Sequence, residues 1–147
     1  MIIKQYLSLI EDDDNLITTL ANTSAFIKDN LDDVSWAGFY LLEDDILKLG
    51  PFQGKVACTK IPLNKGVCGY CATKQETVIV QDVHQFSGHI ACDSATNSEI
   101  VVPIVIDEEL FGVLDLDSTS FNRFNDNDQK LLEAIVNGLI NKIKRSY

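Results

Sequence analysis

Hydrophobic and polar positions along the 147 residues change from a helical to an alternating period and back again. Near the N-terminus, four apolar residues recur at helical spacing: Leu16, Leu20, Ile27 and Leu31. An acidic run at 11–14 comes just before them. We expect this run to form the first turn of the helix, where negative charge suits the helix dipole.

The middle of the chain is typical of short strands, because β-branched and aromatic residues alternate with turn-forming residues. Predicted strands cover six segments: 35–42, 46–49, 56–63, 77–80, 100–106 and 110–116. Residues 44–45 and 107–109 predict hairpin turns, and 67–74 predicts a short helix. The long polar segment 81–98 has little periodicity and predicts a functional loop.

A second helical pattern ends the chain, with Asn125 as its predicted cap and acidic residues in its first turn. Its buried stripe consists of Leu131, Leu132, Ile135, Leu139 and Ile143. Terminal helices around hairpin-linked strands predict a single α+β domain over residues 1–147. We expect both terminal helices on one face of an antiparallel sheet and a ligand pocket under long loops on the other.

The net charge of −10 and the sequence pI of about 4.4 exclude some classes of partner. A negative field repels phosphate backbones and anionic lipids, so we expect neither nucleic acid nor membrane as a partner. The N-terminus shows no basic segment followed by an apolar run, and no apolar stretch has the length of a membrane span. We therefore expect a cytoplasmic protein.

Four cysteines indicate chemistry, since a domain of this size needs neither disulfides nor metal to fold. In the cytoplasm thiols are kept reduced, which favours catalytic, redox or metal-binding roles over a structural one. Cys92 lies in the polar loop together with both histidines, so it is the best candidate for a nucleophilic thiolate.

Cys58 and Cys68 each have two interpretations. Either could resolve a sulfenic acid formed on another thiol, or either could be a small buried core residue. Cys68 and Cys71 form a C-x-x-C motif, but the βαβ setting of a redox dithiol is absent and no standard zinc spacing is present. We expect no bound metal, and we expect Cys71 to be a core residue.

Asp115 and Asp117 alternate along a predicted strand and therefore face the same side. With Glu99 they could converge on one pocket and raise each other's pKa values, so that one acts as an acid. The alternative is that Glu99 is a solvated strand end and Asp117 begins a turn. Trp36 and Tyr40 also share a strand face, either as core residues or as the wall of a pocket for a methyl or thioether group.

Six stretches together resemble the free methionine-(R)-sulfoxide reductases, which are GAF-domain enzymes. These stretches are 36–40, 49–54, 66–69, 88–93, 97–100 and 112–118, within a resemblance that covers about residues 30–135. The spacing of Cys58, Cys68 and Cys92 and the run GHIACD at 88–93 are its most specific parts. The Gly-Val-Leu-Asp strand occurs in many GAF domains and is weak by itself.

The resemblance implies a GAF-like fold and reduction of the R epimer of free methionine sulfoxide, without a cofactor and with recycling by thioredoxin. Cys92 would attack the sulfoxide sulfur and become a sulfenic acid. Cys58 would then form a disulfide with Cys92, and Cys68 would be a secondary or relay thiol. Cys71 departs from the family, in which a small residue such as alanine is usual at this position.

The resemblance also implies how the substrate is held. Trp36 and Tyr40 would line the methyl pocket, and backbone N–H groups around Ile90 and Ala91 would bind the substrate carboxylate. An acidic residue would hold the ammonium. The acid for the sulfoxide oxygen would come from a set of three residues: Glu99, Asp115 and Asp117.

A GAF domain that senses a small molecule without catalysis is the alternative, because such a domain needs only the pocket. The family is commonly homodimeric, so the resemblance also implies a homodimer. The apolar patterning itself does not indicate a second interface.

Overall fold

The computed structural model describes residues 2–90 and 92–147. Within these residues the helices are α1 (Ile2–Ile10), α2 (Leu16–Asn30), α3 (Gly66–Lys74) and α4 (Asp126–Ser146). The strands are β1 (Trp36–Glu43), β2 (Ile46–Gln53), β3 (Lys60–Pro62), β4 (Val78–Val80), β5 (Ser98–Ile106) and β6 (Glu109–Ser118). A 3₁₀ turn covers Val83–Gln85.

These strands form one antiparallel sheet in the order β3-β2-β1-β6-β5-β4. At its centre β1 pairs with β6, and Trp36 lies opposite Asp117. β6 also pairs with β5, and Glu99 lies opposite Asp117. The register therefore brings the aromatic start of β1 beside the acidic ends of β5 and β6.

Both predicted hairpins are confirmed, and each turns through two residues with positive φ. In the β1–β2 turn φ is 54° at Asp44 and 61° at Asp45. In the β5–β6 turn φ is 52° at Asp107 and 70° at Glu108. Two consecutive positive φ angles give the turn a twist that matches the right-handed twist of the flanking strands.

The face of the sheet that carries α1, α2 and α4, here called the helix face, holds a continuous apolar core. Its fully buried side chains include Leu20, Ile27, Phe39, Ile104, Leu114, Leu116, Leu132, Ile135 and Leu139. At the start of α4 the Asn125 side chain accepts hydrogen bonds from the backbone N–H groups of Asn127 and Asp128, which confirms the predicted cap.

The opposite face, here called the cavity face, is covered by α3 and by the loops around it. Its buried cluster combines aliphatic residues with two aromatic residues and two thiols, and includes Trp36, Tyr40, Leu47, Ile61, Cys68, Cys71 and Val113. The α+β, GAF-like architecture is confirmed, with the terminal helices on one face. No helix in the described ranges has the combined length and apolarity needed to cross a lipid bilayer.

Two local predictions are wrong. The acidic run 11–14 does not begin a helix: it follows α1, which the pattern did not predict, and the Asn15 side chain caps α2 by accepting from the backbone N–H of Thr18 at 3.1 Å. Of the predicted strand 56–63, only Lys60–Pro62 forms. Cys58 leaves the sheet because it is bonded to the loop that carries Cys92.

Candidate active site

A small cavity lies on the cavity face between the sheet, α3 and the loop that carries Cys92. Its volume is about 40 Å³, which is room for a few water molecules. Aromatic, thiol and carboxyl side chains line it, and the described lining contains no lysine or arginine. A negatively charged group in this cavity therefore has no fixed cation beside it.

Trp36 and Tyr40 form one wall of the cavity, as the alternation along β1 predicts. Their rings are stacked with centroids 6.0 Å apart, and Phe52 stacks on the other side of Trp36 at 5.2 Å. Trp36 Nε1 donates to the carbonyl of Lys55 at 3.0 Å, and Tyr40 Oη donates to the carbonyl of Cys58 at 2.9 Å. These hydrogen bonds hold segment 55–58 over the aromatic wall.

Cys58 and Cys92 form a disulfide with a Cα–Cα distance of 5.4 Å, which confirms the expected pairing. Cys92 lines the cavity, and its backbone N–H donates to the carbonyl of Ile90 at 3.1 Å. The loop is also tied to α3, because the N–H of Gly66 donates to the carbonyl of Gly88 at 3.0 Å. The bond therefore joins the segment around Cys58 to the loop that carries Cys92, and both contribute residues to the cavity lining.

Cys68 and Cys71 are free thiols on α3, and both are buried. Cys68 lines the cavity, and its Sγ lies 3.9 Å from Oε2 of Glu99. Cys71 lies one turn further on, with its Sγ directed at the carbonyl of Val101 at 3.5 Å. Cys71 is therefore the core residue that was expected, whereas Cys68 belongs to the cavity.

Three carboxyl groups meet in the cavity wall. Glu99 is 6% exposed and Asp115 is 4% exposed, so the alternative of Glu99 as a solvated strand end is wrong. Asp117 is directed into the same cavity from its position opposite Glu99. Oδ1 of Asp115 and Oδ1 of Asp117 are buried without a hydrogen-bond partner among the described residues. Such atoms are available to a ligand.

Burial raises the pKa of Glu99 well above its usual range, and the carboxyls of Asp115 and Asp117 raise it further. Burial and Asp115 likewise raise the pKa of Asp117 well above its usual range. Burial raises the pKa of Asp115 as well, but the side chains of Glu99, Cys68 and Asp117 favour its charged form and oppose the shift. All three directions favour protonated carboxyl groups in the cavity at a pH where exposed carboxyls are ionised.

The thiol of Cys68 is also held in its neutral form. Burial raises its pKa well above the usual range, and the Asp115 and Glu99 carboxyls add to the effect. His89, which lines the cavity nearby, is affected in the opposite sense: burial lowers its pKa and favours the neutral ring. The cavity therefore holds protons on acids and thiols and has little positive charge.

Comparison with known proteins agrees with this geometry. A family model described as GAF domain matches residues 13–139. A free methionine-R-sulfoxide reductase of Escherichia coli (strain K12) is 51% identical over 133 residues, which are 90% of this chain and 81% of that protein. This chain belongs to the free methionine-R-sulfoxide reductase family of GAF domains.

Solved structures agree with this membership. A Staphylococcus aureus fRMsr in its reduced form is 53% identical with a TM-score of 0.93, over 97% of this chain and 92% of that one. A free methionine-R-sulfoxide reductase from Neisseria meningitidis in complex with its substrate is 40% identical with a TM-score of 0.95, over 99% of this chain and 87% of that one. The chain is therefore an oxidoreductase of this family rather than a domain that only senses a ligand.

The family resemblance did not identify every residue that lines the cavity. Thr96 is 5% exposed, and its Oγ1 faces the cavity without a hydrogen-bond partner among the described residues. A turn brings it there, because Asp93 Oδ1 accepts from the N–H of Ala95 and the Asp93 carbonyl accepts from the N–H of Thr96. The aspartate two residues before Ala95 was the only sequence signal for this turn.

Of the two residues expected to bind the substrate carboxylate, Ile90 lines the cavity. Ala91 lies outside the described residues. Ile90 also packs against α3: a Cβ on Gly66, where φ is +63°, would lie 3.2 Å from Cγ1 of Ile90. Glycine at this position thus permits both the backbone conformation and the close contact.

Three buried groups could hold a metal ion, since one ligand atom from each of Cys68, Glu99 and Asp115 lies within 4.8 Å of the others. Binding there would require loss of the protons that burial favours on Cys68 and Glu99. The same atoms face the cavity, so a metal ion would compete with an organic substrate for them.

Proposed function

We propose that this chain reduces free L-methionine (R)-S-oxide to L-methionine, with Cys92 as the nucleophile and Cys58 as the resolving thiol. One observation carries the proposal: the Cys58–Cys92 disulfide lies at a cavity that also holds three carboxyl groups with raised pKa values. The relatives named for this activity support the choice of substrate.

The cavity offers a partner for each group of the substrate. The stacked rings of Trp36 and Tyr40 suit the methyl group on sulfur. Asp115 suits the ammonium group, because the side chains of Glu99, Cys68 and Asp117 favour its charged form and the described lining supplies no competing cation. The substrate carboxylate is assigned to backbone N–H groups of the loop around Ile90 and Ala91, as the family resemblance implies.

The first step moves oxygen from the substrate to the enzyme. The Cys92 thiolate attacks the sulfoxide sulfur while Glu99 or Asp117 gives a proton to the sulfoxide oxygen. The attack forms a bond between Cys92 Sγ and the substrate sulfur. Transfer of the protonated oxygen to Sγ then breaks both this bond and the sulfur–oxygen bond of the substrate. Methionine leaves with its sulfur reduced by two electrons, and Cys92 becomes a sulfenic acid.

The second step forms the disulfide. The Cys58 thiol attacks the sulfenic sulfur of Cys92, and the sulfenic oxygen leaves as water with the thiol proton. A dithiol reductant, which we propose to be thioredoxin, then returns both cysteines to thiols and is itself oxidised.

Cys92 is a better first nucleophile than Cys68 because the reactive form of a thiol is the thiolate. Burial and two neighbouring carboxyls favour the neutral thiol of Cys68. Its Sγ lies 3.9 Å from Glu99 Oε2, so Cys68 contacts the proposed acid and is assigned the role of a secondary or relay thiol.

The disulfide corresponds to the end of the catalytic cycle. In this state Cys92 has no free thiol, so reduction of the Cys58–Cys92 bond has to come before the next attack on a substrate. The free thiols of Cys68 and Cys71 are consistent with a reducing compartment such as the cytoplasm. A homodimer remains a prediction from the resemblance.

The test is incubation with racemic free methionine sulfoxide and dithiothreitol, with both epimers separated and quantified over time. We expect the R epimer to decline while methionine appears in equal amount and the S epimer is unchanged. A methionine sulfoxide residue within a peptide serves as the control and should not react. Persistence of the free R epimer would contradict the proposed substrate and reaction.

A further inference from the structure

Positive charge is concentrated in one part of this acidic chain, residues 46–75. The segment contains five of the 12 lysine and arginine residues and none of the 22 acidic residues. Its lysines are Lys48, Lys55, Lys60, Lys65 and Lys74. The segment carries β2, β3 and α3, and with them three of the four cysteines. The segment that supplies Val56, Ile61 and Cys68 to the cavity lining is therefore basic, although the net charge of the chain is −10.

Three of these lysines are neighbours in the sequence of residues that line the cavity. Each is exposed, and each immediately precedes a residue that lines the cavity. The pairs are Lys55–Val56, Lys60–Ile61 and Lys65–Gly66. We call Lys55, Lys60 and Lys65 the basic rim. Within the described residues none of the three forms an ion pair, whereas Lys48 pairs with Glu43 at 2.8 Å.

An apolar side chain completes this surface. Val56 lines the cavity but is 88% exposed, the largest exposure among the large apolar side chains of the described residues. It lies two residues before Cys58. The hydrogen bonds from Trp36 to the carbonyl of Lys55 and from Tyr40 to the carbonyl of Cys58 fix the backbone on both sides of it. An exposed apolar residue on a fixed backbone suits contact with another protein.

The two sulfurs of the disulfide have different electrostatic surroundings. Cys58 lies between Lys55 and Lys60 in the sequence, with no acidic residue in its segment. Cys92 is followed by the acidic residue Asp93, which also lines the cavity. An incoming thiolate is negatively charged, so approach to Cys58 is favoured over approach to Cys92.

We infer that the basic rim and Val56 form a docking surface for a protein dithiol whose reactive thiol is surrounded by acidic residues. This inference rests on the proposed function. The partner's thiolate attacks Sγ of Cys58, the Cys58–Cys92 bond breaks, and Cys92 leaves as a thiolate. The partner's second thiol then attacks its own mixed-disulfide sulfur, which releases reduced Cys58 and leaves the partner oxidised by two electrons.

The first test compares reductants for Lys60→Glu and Lys55→Glu. With a thioredoxin of net negative charge, we expect kcat/KM for thioredoxin to fall about three- to tenfold per variant and to depend less on salt than in the wild type. Turnover with dithiothreitol should change by less than about twofold, because this small reductant presents a single thiolate charge and no acidic protein surface to the basic rim. The matched control is Lys130→Glu, which makes the same charge change on the exposed surface of α4, on the helix face.

Comparing the two reductants separates the docking inference from the proposed function. Equal thioredoxin kinetics in the wild type and the rim variants, with normal dithiothreitol turnover, would overturn the docking inference alone. A wild type inactive with dithiothreitol would contradict the proposed function instead. Tight binding of duplex DNA that Lys60→Glu weakens, with thioredoxin turnover unaffected, would reassign the basic rim to nucleic acid and also overturn the inference.

The second test does not depend on turnover. A thioredoxin whose second active-site cysteine is replaced by serine should trap the mixed disulfide with the oxidised enzyme. Peptide mapping under non-reducing conditions is expected to find the partner on Cys58. Attachment to Cys92 would overturn the inference, because the partner would then have approached from the acidic side of the cavity.

Discussion

The two faces of the sheet differ in how completely their polar groups are satisfied. On the helix face, buried polar groups have partners, as in the 2.8 Å hydrogen bond between Tyr6 Oη and Thr23 Oγ1. Four buried side-chain atoms in the described residues have none: His89 Nδ1, Thr96 Oγ1, Asp115 Oδ1 and Asp117 Oδ1. All four belong to residues that line the cavity.

Buried polar atoms without partners destabilise a fold, so natural proteins keep few of them. Their restriction to the cavity face indicates that this face is adapted to a ligand and the helix face to stability. Substitutions on the helix face should therefore mainly lower stability, whereas substitutions on the cavity face should mainly lower turnover.

The largest expected effect is on turnover. Cys92→Ser removes the proposed nucleophile and should lower methionine formation by a factor of about 10⁴ or more in a single turnover, measured by rapid quench. Cys58→Ser should still release one equivalent of methionine and then stop with thioredoxin. Cys71→Ala is the matched control on the same face and should retain activity. A full single turnover by Cys92→Ser would transfer the nucleophilic role to Cys68.

The next effect is on stability. Leu114→Ala on the helix face removes a fully buried side chain and should lower the free energy of unfolding by about 2–5 kcal/mol, measured by urea denaturation. The kcat of the remaining folded protein should be unchanged, because Leu114 faces away from the cavity. A large loss of kcat in fully folded Leu114→Ala would show that the two faces are coupled.

Glu99→Gln should lower turnover but raise stability at alkaline pH. Loss of an acid should lower kcat roughly 100-fold. Burial raises the folded-state pKa of Glu99, so the folded chain keeps a proton that the unfolded chain releases. Wild-type stability therefore declines as the pH rises from the ordinary carboxyl pKa towards the folded-state pKa.

The glutamine variant lacks that contribution, so its melting temperature should decline less over the same pH range and exceed that of the wild type at alkaline pH. Thermal melts across pH measure this difference. Leu114→Gln buries an amide of the same kind on the helix face and should only destabilise. Parallel pH profiles for the wild type and Glu99→Gln would indicate that Glu99 is ionised in the fold.

The smallest expected effect concerns the cap of α4. Asn125→Ala removes the acceptor for the N–H groups of Asn127 and Asp128 and should lower the free energy of unfolding by about 1 kcal/mol. The kcat should be the same as in the wild type. Asn125→Ser retains an oxygen acceptor and should recover most of the stability, whereas equal losses in both variants would contradict the capping role.

Hydrophobic periodicity correctly predicted features that lie within a single helix or strand, such as which residues share a face. The alternation of Trp36 with Tyr40 and of Asp115 with Asp117 correctly placed each pair on one face. The position of Glu99 beside Asp117 depends on the register between β5 and β6, which no single segment encodes.

The errors arose where tertiary contacts override a local pattern. The segment around Cys58 has strand composition, but it leaves the sheet because Cys58 is bonded to Cys92 and Tyr40 Oη holds its carbonyl. Thr96 could not be found by periodicity, because a turn at Asp93 places it in the cavity. α1 was missed because the first ten residues have few charges and no cap signal.

Trp36 is the single tryptophan of the chain, and it lies in the cavity wall rather than in the core of the helix face. Because nearby disulfides quench indole emission, its fluorescence should rise when the Cys58–Cys92 bond is reduced and change again when a ligand contacts the ring. The unlabelled protein thus carries its own optical probe, with which a stopped-flow instrument could follow each catalytic state in real time.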